Sequence, residues 1–358
     1  MSENQKIIAK GNEAVCWGAV SADCHYFFGY PVTPQNEITE WFAAEYPKQG
    51  WSFVQGESEW AVTGMLFGAS AAGARVITST AGPGWGLMQE ILSSIAAANL
   101  PVVIVVVQRG GPGQGTTSHA QMDYSVSTRG GHGGWHNIVL GPSSVQENCD
   151  MVQWGFHLAD KYRIPVVVLT DAIVGQMVEK LEIKKLEFGP LPAKNWAMAG
   201  HGVKGPKFDM IASAPGMIGS YVDSLRAMQT NWDTIAREEV RWEDYKTEDA
   251  DLVLVAYGYP SRACMEAVDI ARAEGLKVGL LRPITLWPFP YAAVKKHTDR
   301  GAKLMVVEDS LGQLVDDVRI AVGPDKPVSQ VTALDRHNPT YSGMIMPDVV
   351  LNKIRQTL

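Results

Sequence analysis

Arg109 is the residue whose position points most directly to chemistry. It lies two residues beyond the β-branched run Val102 to Val107 and directly before the glycine-rich segment Gly110 to Gly115. In an open α/β sheet, ligands bind beyond the carboxyl ends of the strands. A guanidinium group placed there could hold a carboxylate or a phosphate through two parallel hydrogen bonds. A structural salt bridge is the alternative that the sequence leaves open.

Two acidic residues, Glu57 and Glu59, stand at the start of an apolar segment, Trp60 to Gly73, that is typical of a helix. Acidic residues in a first turn suit the helix dipole, which would explain both without any function. That explanation leaves out Gly64 and Gly68, which lie one turn apart and each cost about 1 kcal/mol relative to alanine. We therefore expect a neighbouring helix or subunit to pack closely on the glycine face. We also expect burial of at least one carboxyl group, which then needs a partner.

The segment Gly29-Tyr30-Pro31-Val32-Thr33-Pro34 joins a predicted strand, His25 to Phe28, to a predicted helix that starts near Gln35. Thr33 is predicted to be the N-cap, and Pro34 the first helical residue, where a missing N–H costs nothing. The free amides of that helix end would favour a negatively charged group. A threonine that only caps a helix is the alternative.

Other motifs match known sites only in part. The glycines at 82, 84 and 86 follow a predicted strand, but no Lys-Ser or Lys-Thr follows them as in a phosphate-binding loop, and no dinucleotide fingerprint is present. The histidines His119, His132 and His136, with Asp123, lie in or beside the long loop from Arg109 to Trp135. A metal site there is conceivable, but such a loop is more often a lid or an interface element, and we assign no metal ligands to this chain.

The elements that must position these residues belong to the α/β class. Short β-branched runs predict buried strands, and stretches with helical spacing alternate with them. The strand runs are Val76 to Thr80, Val102 to Val107, Val166 to Thr170, Leu252 to Ala256, Val278 to Leu281 and Leu304 to Val307. Ser144-Val145-Gln146-Glu147 predicts a capping box that opens a helix running toward Tyr162. The alternation of strands and helices stops between about 180 and 245, and we interpret this stretch as an arm or linker. We therefore expect domains at 1–245 and 246–358.

Composition excludes several classes of protein. A chain of 358 residues with 46% hydrophobic content can bury a large core, and its net charge of -7 disfavours a nucleic-acid or anionic-membrane surface. The longest apolar runs are too short to cross a membrane and the polar start has no signal-peptide core, so we expect a cytoplasmic protein.

The four cysteines predict buried thiols rather than a metal centre. Cys16, Cys24, Cys149 and Cys264 are far apart, with no two-residue spacing between any pair. Neither a zinc knuckle nor an iron–sulfur run can be drawn from them. Any metal centre for electron transfer must therefore lie on another polypeptide.

Four motifs, in the order in which they follow one another, lead to a family resemblance. They are Gly-Tyr-Pro-x-Thr-Pro from Gly29, Glu-x-Glu from Glu57 before the glycine-rich helix, Thr-Ala-Gly-Pro-Gly from Thr80, and the valine strand that ends in Arg109. Together they resemble the α-type subunit of 2-oxoacid:ferredoxin oxidoreductases, and the likeness covers nearly the whole chain.

The resemblance continues into the second unit and implies a fold for both. The segments 279–290 and 307–313 are similar to the transketolase-C-terminal-like domain of the same subunits. The first unit is expected to be the doubly wound sheet that binds the pyrimidine ring of thiamine diphosphate. Chain length, with the segments 109–113 and 130–133, most resembles the branched-chain 2-oxoacid type. The stretch before Cys24 departs from the pattern, because Asp23 stands where relatives usually carry glycine.

The resemblance also assigns roles to residues. Glu59 is similar to the glutamate that bonds the aminopyrimidine ring of thiamine diphosphate, and Pro31 and Thr33 would also contact the cofactor. Thr33 and Arg109 would hold the carboxylate and carbonyl oxygen of the 2-oxoacid. Glu59, Thr33 and Arg109 are thus the predicted catalytic residues.

The resemblance further implies a heteromeric enzyme. The chain lacks the Gly-Asp-Gly cradle for magnesium and the cofactor diphosphate, so it is expected to hold half an active site. A β-type partner would carry that cradle, Mg²⁺ and a [4Fe-4S] cluster, and γ-type and ferredoxin-like subunits are expected as well. Coenzyme A would be the co-substrate, and electrons would pass to ferredoxin. Acting on 2-oxoglutarate or an aromatic 2-oxoacid, or serving only as a non-catalytic docking subunit, are the alternatives.

Overall fold

The computed structural model describes residues 5–198, 219–337 and 343–358. Parallel sheets covered by helices confirm the α/β class. The first part of the chain contains the strands β1 (Gln5–Lys10), β2 (Tyr26–Gly29), β3 (Ser52–Gln55), β4 (Val76–Thr80), β5 (Val102–Gly110), β6 (Thr116–His119), β7 (Ile138–Leu140), β8 (Pro165–Asp171) and β9 (Val178–Ile183). Its helices are α1 (Gly11–Ser21), α2 (Asn36–Glu45), α3 (Glu59–Ala71), α4 (Gly82–Ala97), α5 (Tyr124–Arg129), α6 (Val145–Tyr162) and α7 (Ala172–Gln176).

The later part of the chain begins with a helix and a short strand inside the predicted arm. Its elements are α8 (Tyr221–Glu238), β10 (Trp242–Tyr245), β11 (Leu252–Val255), α9 (Gly258–Ala273), β12 (Val278–Pro283), β13 (Thr285–Trp287), α10 (Tyr291–Asp299), β14 (Lys303–Val307), α11 (Leu314–Val322), β15 (Val328–Val331) and α12 (Pro347–Thr357). None of the helices in the described ranges is long and apolar enough to cross a bilayer.

The larger sheet has the strand order β13-β7-β8-β5-β4-β2-β3, with β6 paired to β5. Strand β5 lies in its middle, and every residue of β5 is buried, because helices cover both faces of this parallel sheet. A second sheet has the order β10-β12-β11-β14-β15, and β1 pairs with β9 in a two-stranded sheet.

The two sheets are connected by a strand that crosses from one unit to the other. β13 follows β12 of the smaller sheet, yet pairs antiparallel with β7 of the larger one, with Thr285 opposite Leu140 and Trp287 opposite Val139. Arg282, at the end of β12, forms hydrogen bonds with both carboxylate oxygens of Glu147 on α6, at 2.7 and 2.8 Å. The second unit is therefore built against the first through both backbone and side chains.

The helix predicted from Ser144 begins and ends as expected, but its cap differs in one respect. Ser144 accepts a hydrogen bond from the Glu147 N–H, as an N-cap should. The Glu147 carboxylate does not return to the Ser144 N–H. It accepts from the N–H of Ser143 and from Arg282 instead, since a buried cation is a stronger partner than a backbone amide.

The turn before Cys24 keeps a conformation that favours glycine. Asp23 has a φ of 55°, in the left-handed region that only a few non-glycine residues adopt. Its carboxylate forms an ion pair with Lys185. The aspartate therefore preserves the turn expected for glycine. All four cysteines are free and buried, as the sequence predicted.

Candidate active site

The carboxyl ends of four neighbouring parallel strands, β3, β2, β4 and β5, meet at one edge of the larger sheet. Residues 30–34 leave the end of β2, residues 56–59 leave β3 and lead into α3, and residues 81–84 leave β4 and open α4. Arg109 is the penultimate residue of β5. The segments with predicted chemistry thus lie together at the edge where open α/β sheets bind ligands.

Glu59 is the first residue of α3, and its side chain is turned into the protein. Ser58 caps the helix by accepting from the Ala61 N–H at 3.3 Å. Glu59 is only 7% exposed, whereas Glu57 lies outside the helix and is exposed. The structure therefore buries one of the two acids at the start of α3 and exposes the other.

The carboxyl group of Glu59 lies against the start of α4. A Cβ atom added to Gly84 would stand 2.2 Å from Oε1 of Glu59 and 2.6 Å from Oγ1 of Thr80, so only glycine fits there. The Glu59 side chain is buried, and no described residue donates a hydrogen bond to its carboxylate. The buried Thr80 hydroxyl beside it also has no partner in the described ranges. A buried carboxyl group without a partner is costly unless a ligand completes its bonding.

This arrangement fits the aminopyrimidine ring of thiamine diphosphate. Such a ring offers nitrogen atoms that donate and accept hydrogen bonds, and the buried Glu59 carboxyl group and the unpaired Thr80 hydroxyl are of the matching kinds. Because Gly84 has no side chain, the Glu59 carboxyl group can occupy this position.

Thr33 is not the N-cap that the sequence predicted. Helix α2 begins at Asn36 with Gln35 in the capping position, and Pro34 precedes the helix rather than opening it. The Thr33 carbonyl oxygen accepts from Nη1 of Arg109 at 2.8 Å, which draws this backbone toward β5 and away from helical geometry. The Thr33 side chain is exposed at the sheet edge, where its hydroxyl accepts from Asn36.

Arg109 is 5% exposed and makes hydrogen bonds to neutral groups rather than a salt bridge. Besides Thr33, its partners are the backbone and side-chain oxygens of Gln114, both bonded to Nη2. Its Nε is buried and has no partner in the part of the chain that the structure describes. An arginine held without a carboxylate partner is available for an anionic ligand.

Asp123 is a buried acid behind Arg109 for which the sequence suggested only a minor metal role. One carboxylate oxygen accepts from the Gly82 N–H at 3.3 Å, at the start of α4. Burial raises the pKa of Asp123 to about 6, against the opposing effects of the backbone of Gly82 and Arg109 and of the Arg109 charge. The carboxyl group therefore links the ends of two site strands.

Gln35 is a second buried residue of the site that the sequence did not identify. Its Nε2 donates to the Tyr30 carbonyl at 3.0 Å, and its Oε1 accepts from the hydroxyls of Thr39 and Ser79. It therefore fixes the segment 30–34 against β4. The only available signal was a glutamine directly after proline, which is too common to indicate this role.

The glycine face of α3 is open within the part of this chain that the structure describes, so close packing there stays a prediction for a neighbouring subunit. A Cβ at Gly68 would meet nothing within 4 Å, and one at Gly64 would meet only Ile91, at 3.9 Å. Trp60 and Leu87, from α3 and α4, are 55% and 54% exposed. This chain by itself leaves an apolar surface beside Glu59.

The loop from Arg109 to Trp135 is not structureless, because it contains β6 and α5. His119 pairs with Asp309 of the second unit at 2.8 Å, and His136 stacks on Trp287 at 4.5 Å between ring centroids. Among the described residues, no group of histidine, cysteine or acidic side chains could hold a metal ion.

Comparison with known proteins points to one family. Residues 17–244 match the family described as pyruvate flavodoxin/ferredoxin oxidoreductase, thiamine diP-binding, and residues 250–344 match core domain II of pyruvate:ferredoxin oxidoreductase. The chain is 45% identical to the ketoisovalerate oxidoreductase subunit VorB of Methanothermobacter thermautotrophicus, over 88% of this chain and 90% of that one. It is 37% identical to the 2-oxoglutarate synthase subunit KorA of the same organism, over 98% of each chain.

Solved structures show the same fold. The 2-oxoglutarate:ferredoxin oxidoreductase of Magnetococcus marinus, with 2-oxoglutarate, coenzyme A and succinyl-CoA bound, is 27% identical with a TM-score of 0.84. The match covers 98% of this chain but only 65% of that longer one. A split-gene transketolase, at 16% identity and a TM-score of 0.61, shares the fold alone.

Proposed function

The chain belongs to the α-type subunits of the 2-oxoacid:ferredoxin oxidoreductases, which use thiamine diphosphate, and we propose that it supplies the half of their active site that carries Glu59, Thr33 and Arg109. The observation that carries this proposal is the buried Glu59 carboxyl group, which has no partner among the described residues and lies at the same sheet edge as Arg109. These are the groups needed to hold a cofactor ring and an anionic substrate side by side.

The residues of this chain position the cofactor and the substrate, and one of them exchanges a proton with the cofactor. Bound thiamine diphosphate supplies nucleophilic addition to the 2-oxo group and uptake of the electron pair released with carbon dioxide. Glu59 shares a proton with a ring nitrogen of the pyrimidine, and Pro31 and Thr33 border the ring. Arg109 binds the carboxylate of the 2-oxoacid, and the Thr33 hydroxyl holds its carbonyl oxygen, which orients the substrate for attack.

The substrate that we propose is a branched-chain 2-oxoacid, 3-methyl-2-oxobutanoate. The similarity to the ketoisovalerate subunit is higher than that to the 2-oxoglutarate subunit. The segment 110–118 beyond Arg109 contains no lysine or arginine. A second substrate carboxylate would call for a second cation, so this segment favours a substrate with an uncharged side chain. The 2-oxoglutarate and aromatic alternatives would be detected by a panel of 2-oxoacids.

The proposed enzyme is completed by partner subunits. A β-type subunit covering the exposed surface beside Glu59 would bring the diphosphate site, Mg²⁺ and a [4Fe-4S] cluster, and γ-type and ferredoxin-like subunits complete the complex. Coenzyme A takes the acyl group and ferredoxin the electrons. We also propose that the chain divides into two domains near residue 245 and that the protein is located in the cytoplasm.

The test is the paired substitution of the two neighbouring acids in the reconstituted complex. Glu59→Gln keeps the shape of the side chain but removes the acidic proton, and turnover with 3-methyl-2-oxobutanoate should fall at least about 100-fold. Glu57→Gln changes the same charge on an exposed residue and should leave turnover within about twofold. Equal activity of the two variants would show that the chain only docks a partner.

A further inference from the structure

The guanidinium group of Arg109 is held firmly on one side and weakly on the other. Nη1 donates to the Thr33 carbonyl at 2.8 Å. Nη2 donates to two oxygens of Gln114, the backbone oxygen at 3.2 Å and Oε1 at 3.3 Å, both long for N–H···O bonds. Nε is buried and receives no partner from the described residues.

The weakly held side is the one that matches a carboxylate. The N–H groups of Nε and Nη2 lie in the guanidinium plane and point in the same direction, so two carboxylate oxygens can accept from them in parallel. Position 82 must be glycine for this arrangement, because a Cβ atom there would stand 2.9 Å from Nε. Gln114 thus bonds one of the two donors of this edge, and the other donor is unpaired among the described residues.

Gln114 lies on the glycine-rich turn that joins β5 to β6. It is exposed, although the arginine that it contacts is buried. Glycine occupies positions 110, 111, 113 and 115, and Gly113 and Gly115 have φ values of 63° and 50°, which glycine adopts without strain. Moving Gln114 breaks two long hydrogen bonds and exposes no buried side chain of its own.

We infer that Gln114 holds the place of the substrate carboxylate on Arg109 and is displaced when a 2-oxoacid binds, so that the segment 110–115 sets the affinity for substrate. This inference rests on the proposed role of Arg109. The bond from Nη1 to Thr33 stays in place and keeps the guanidinium group oriented while the substrate exchanges with Gln114 on the opposite edge.

Two substitutions at position 114 should change the Michaelis constant for 3-methyl-2-oxobutanoate in opposite directions in the reconstituted complex. Gln114→Ala removes one competing oxygen, and KM should fall about two- to fivefold. Gln114→Glu places a carboxylate on the same edge, and KM should rise at least about tenfold with kcat little changed. Gln49→Glu, the same charge change at an exposed position after α2, should alter neither constant. A higher KM for Gln114→Ala, or an unchanged KM for both variants, would overturn the inference.

The Arg109→Lys background separates this inference from the proposed function. Lysine cannot offer two parallel donors, so KM should rise at least about tenfold. In that background Gln114→Ala should change KM less than about twofold, because its effect passes through the guanidinium group. If Arg109→Lys leaves KM unchanged, the proposed role of Arg109 fails. If it raises KM but the Gln114→Ala effect persists undiminished, only the inference about Gln114 fails.

Discussion

Glu57 and Glu59 carry the same carboxyl group two residues apart, and burial alone distinguishes them. The sequence predicted that at least one would be desolvated, and the family motif selected Glu59. The structure buries Glu59 and leaves Glu57 in solvent. The location of Arg109 at the end of a buried strand was likewise predictable, because the valine run before it is unambiguous. The catalytic and binding roles of these residues remain our proposals.

The contribution of Asp123 to the free energy of unfolding should decrease as pH rises, whereas that of a salt-bridged acid would increase. Burial raises its pKa from 3.8 to about 6, so between these values the folded chain binds a proton that the unfolded chain has lost. Its contribution to stability is therefore full below about pH 4 and is lost as pH rises through about 6.

Asp123→Asn keeps an oxygen for the Gly82 N–H and removes the buried charge. Relative to the native chain, the variant should gain about 2 kcal/mol between pH 4.5 and 6.5. Melting temperatures measured across this range test it, with Asp325→Asn on an exposed turn as the control. A difference that does not grow with pH would contradict the expectation.

Residues such as Gln35, Gln114 and Asp123 could not be assigned from the sequence, since their roles depend on the folded arrangement of their partners. Gln35 reaches Ser79, 44 residues away, and Asp123 reaches Gly82, 41 residues away. Local patterns carry no information on such contacts. Thr33 shows the same limit, because its distant bond to Arg109 overrides a local capping preference.

Helix α4 offers a direct test of the close approach between its first turn and Glu59. Gly84→Ala places a methyl group within 2.2 Å of the present position of Glu59 Oε1. The carboxyl group must then move, and turnover of the complex should fall at least about tenfold, since small displacements of a positioned group are costly.

Gly86→Ala is the matched control on the same helix, where an added Cβ meets nothing within 4 Å. It should leave turnover unchanged and stabilise the chain by up to about 1 kcal/mol through helix propensity. Turnover and melting temperature of both variants distinguish the two effects. Equal turnover of the two variants would show that Glu59 is not fixed by Gly84.

Strands with a continuous apolar run were predictable, including the four-residue β2, which is shifted by one residue from the predicted His25 to Phe28. Several other short strands were not predictable. β4 has the predicted bounds, and β5, β8, β11, β12 and β14 differ from prediction by a few residues at most. β6 and β7 contain four and three residues, and β13 three, so neither length nor alternation identifies them. Pairing with distant strands creates these elements.

At the scale of the whole molecule, an ion pair between the buried Arg282 and the partly buried Glu147 joins the two units. The Arg282 guanidinium bonds Glu147, Ser143 and Glu243, and although burial alone would raise the pKa of Glu147, the hydrogen bonds and charge of Arg282 keep it below its ordinary value. Arg282→Met should cost about 3 kcal/mol near neutral pH, because it leaves Glu147 without its cation.

Adding Glu147→Gln to Arg282→Met should restore part of that loss by removing the unpaired charge. Arg355→Met, which breaks the exposed pair with Glu274, is the control and should not change the melting temperature measurably. Thermal unfolding of the three variants provides the comparison. A loss for Arg282→Met no larger than that for Arg355→Met would show that the pair does not hold the units together.

The crossing strand β13 also bears on how this chain can be divided. A fragment that stops near residue 245 would retain β7 but lose the strand that pairs with its outer side. The backbone N–H and C=O groups of Ile138–Leu140 would then form an open edge of hydrophobic residues, which is a template for pairing with other chains. Expression of the first unit alone should therefore give aggregated material, and a soluble truncated form would need a replacement for the three residues Thr285–Trp287 of the second unit.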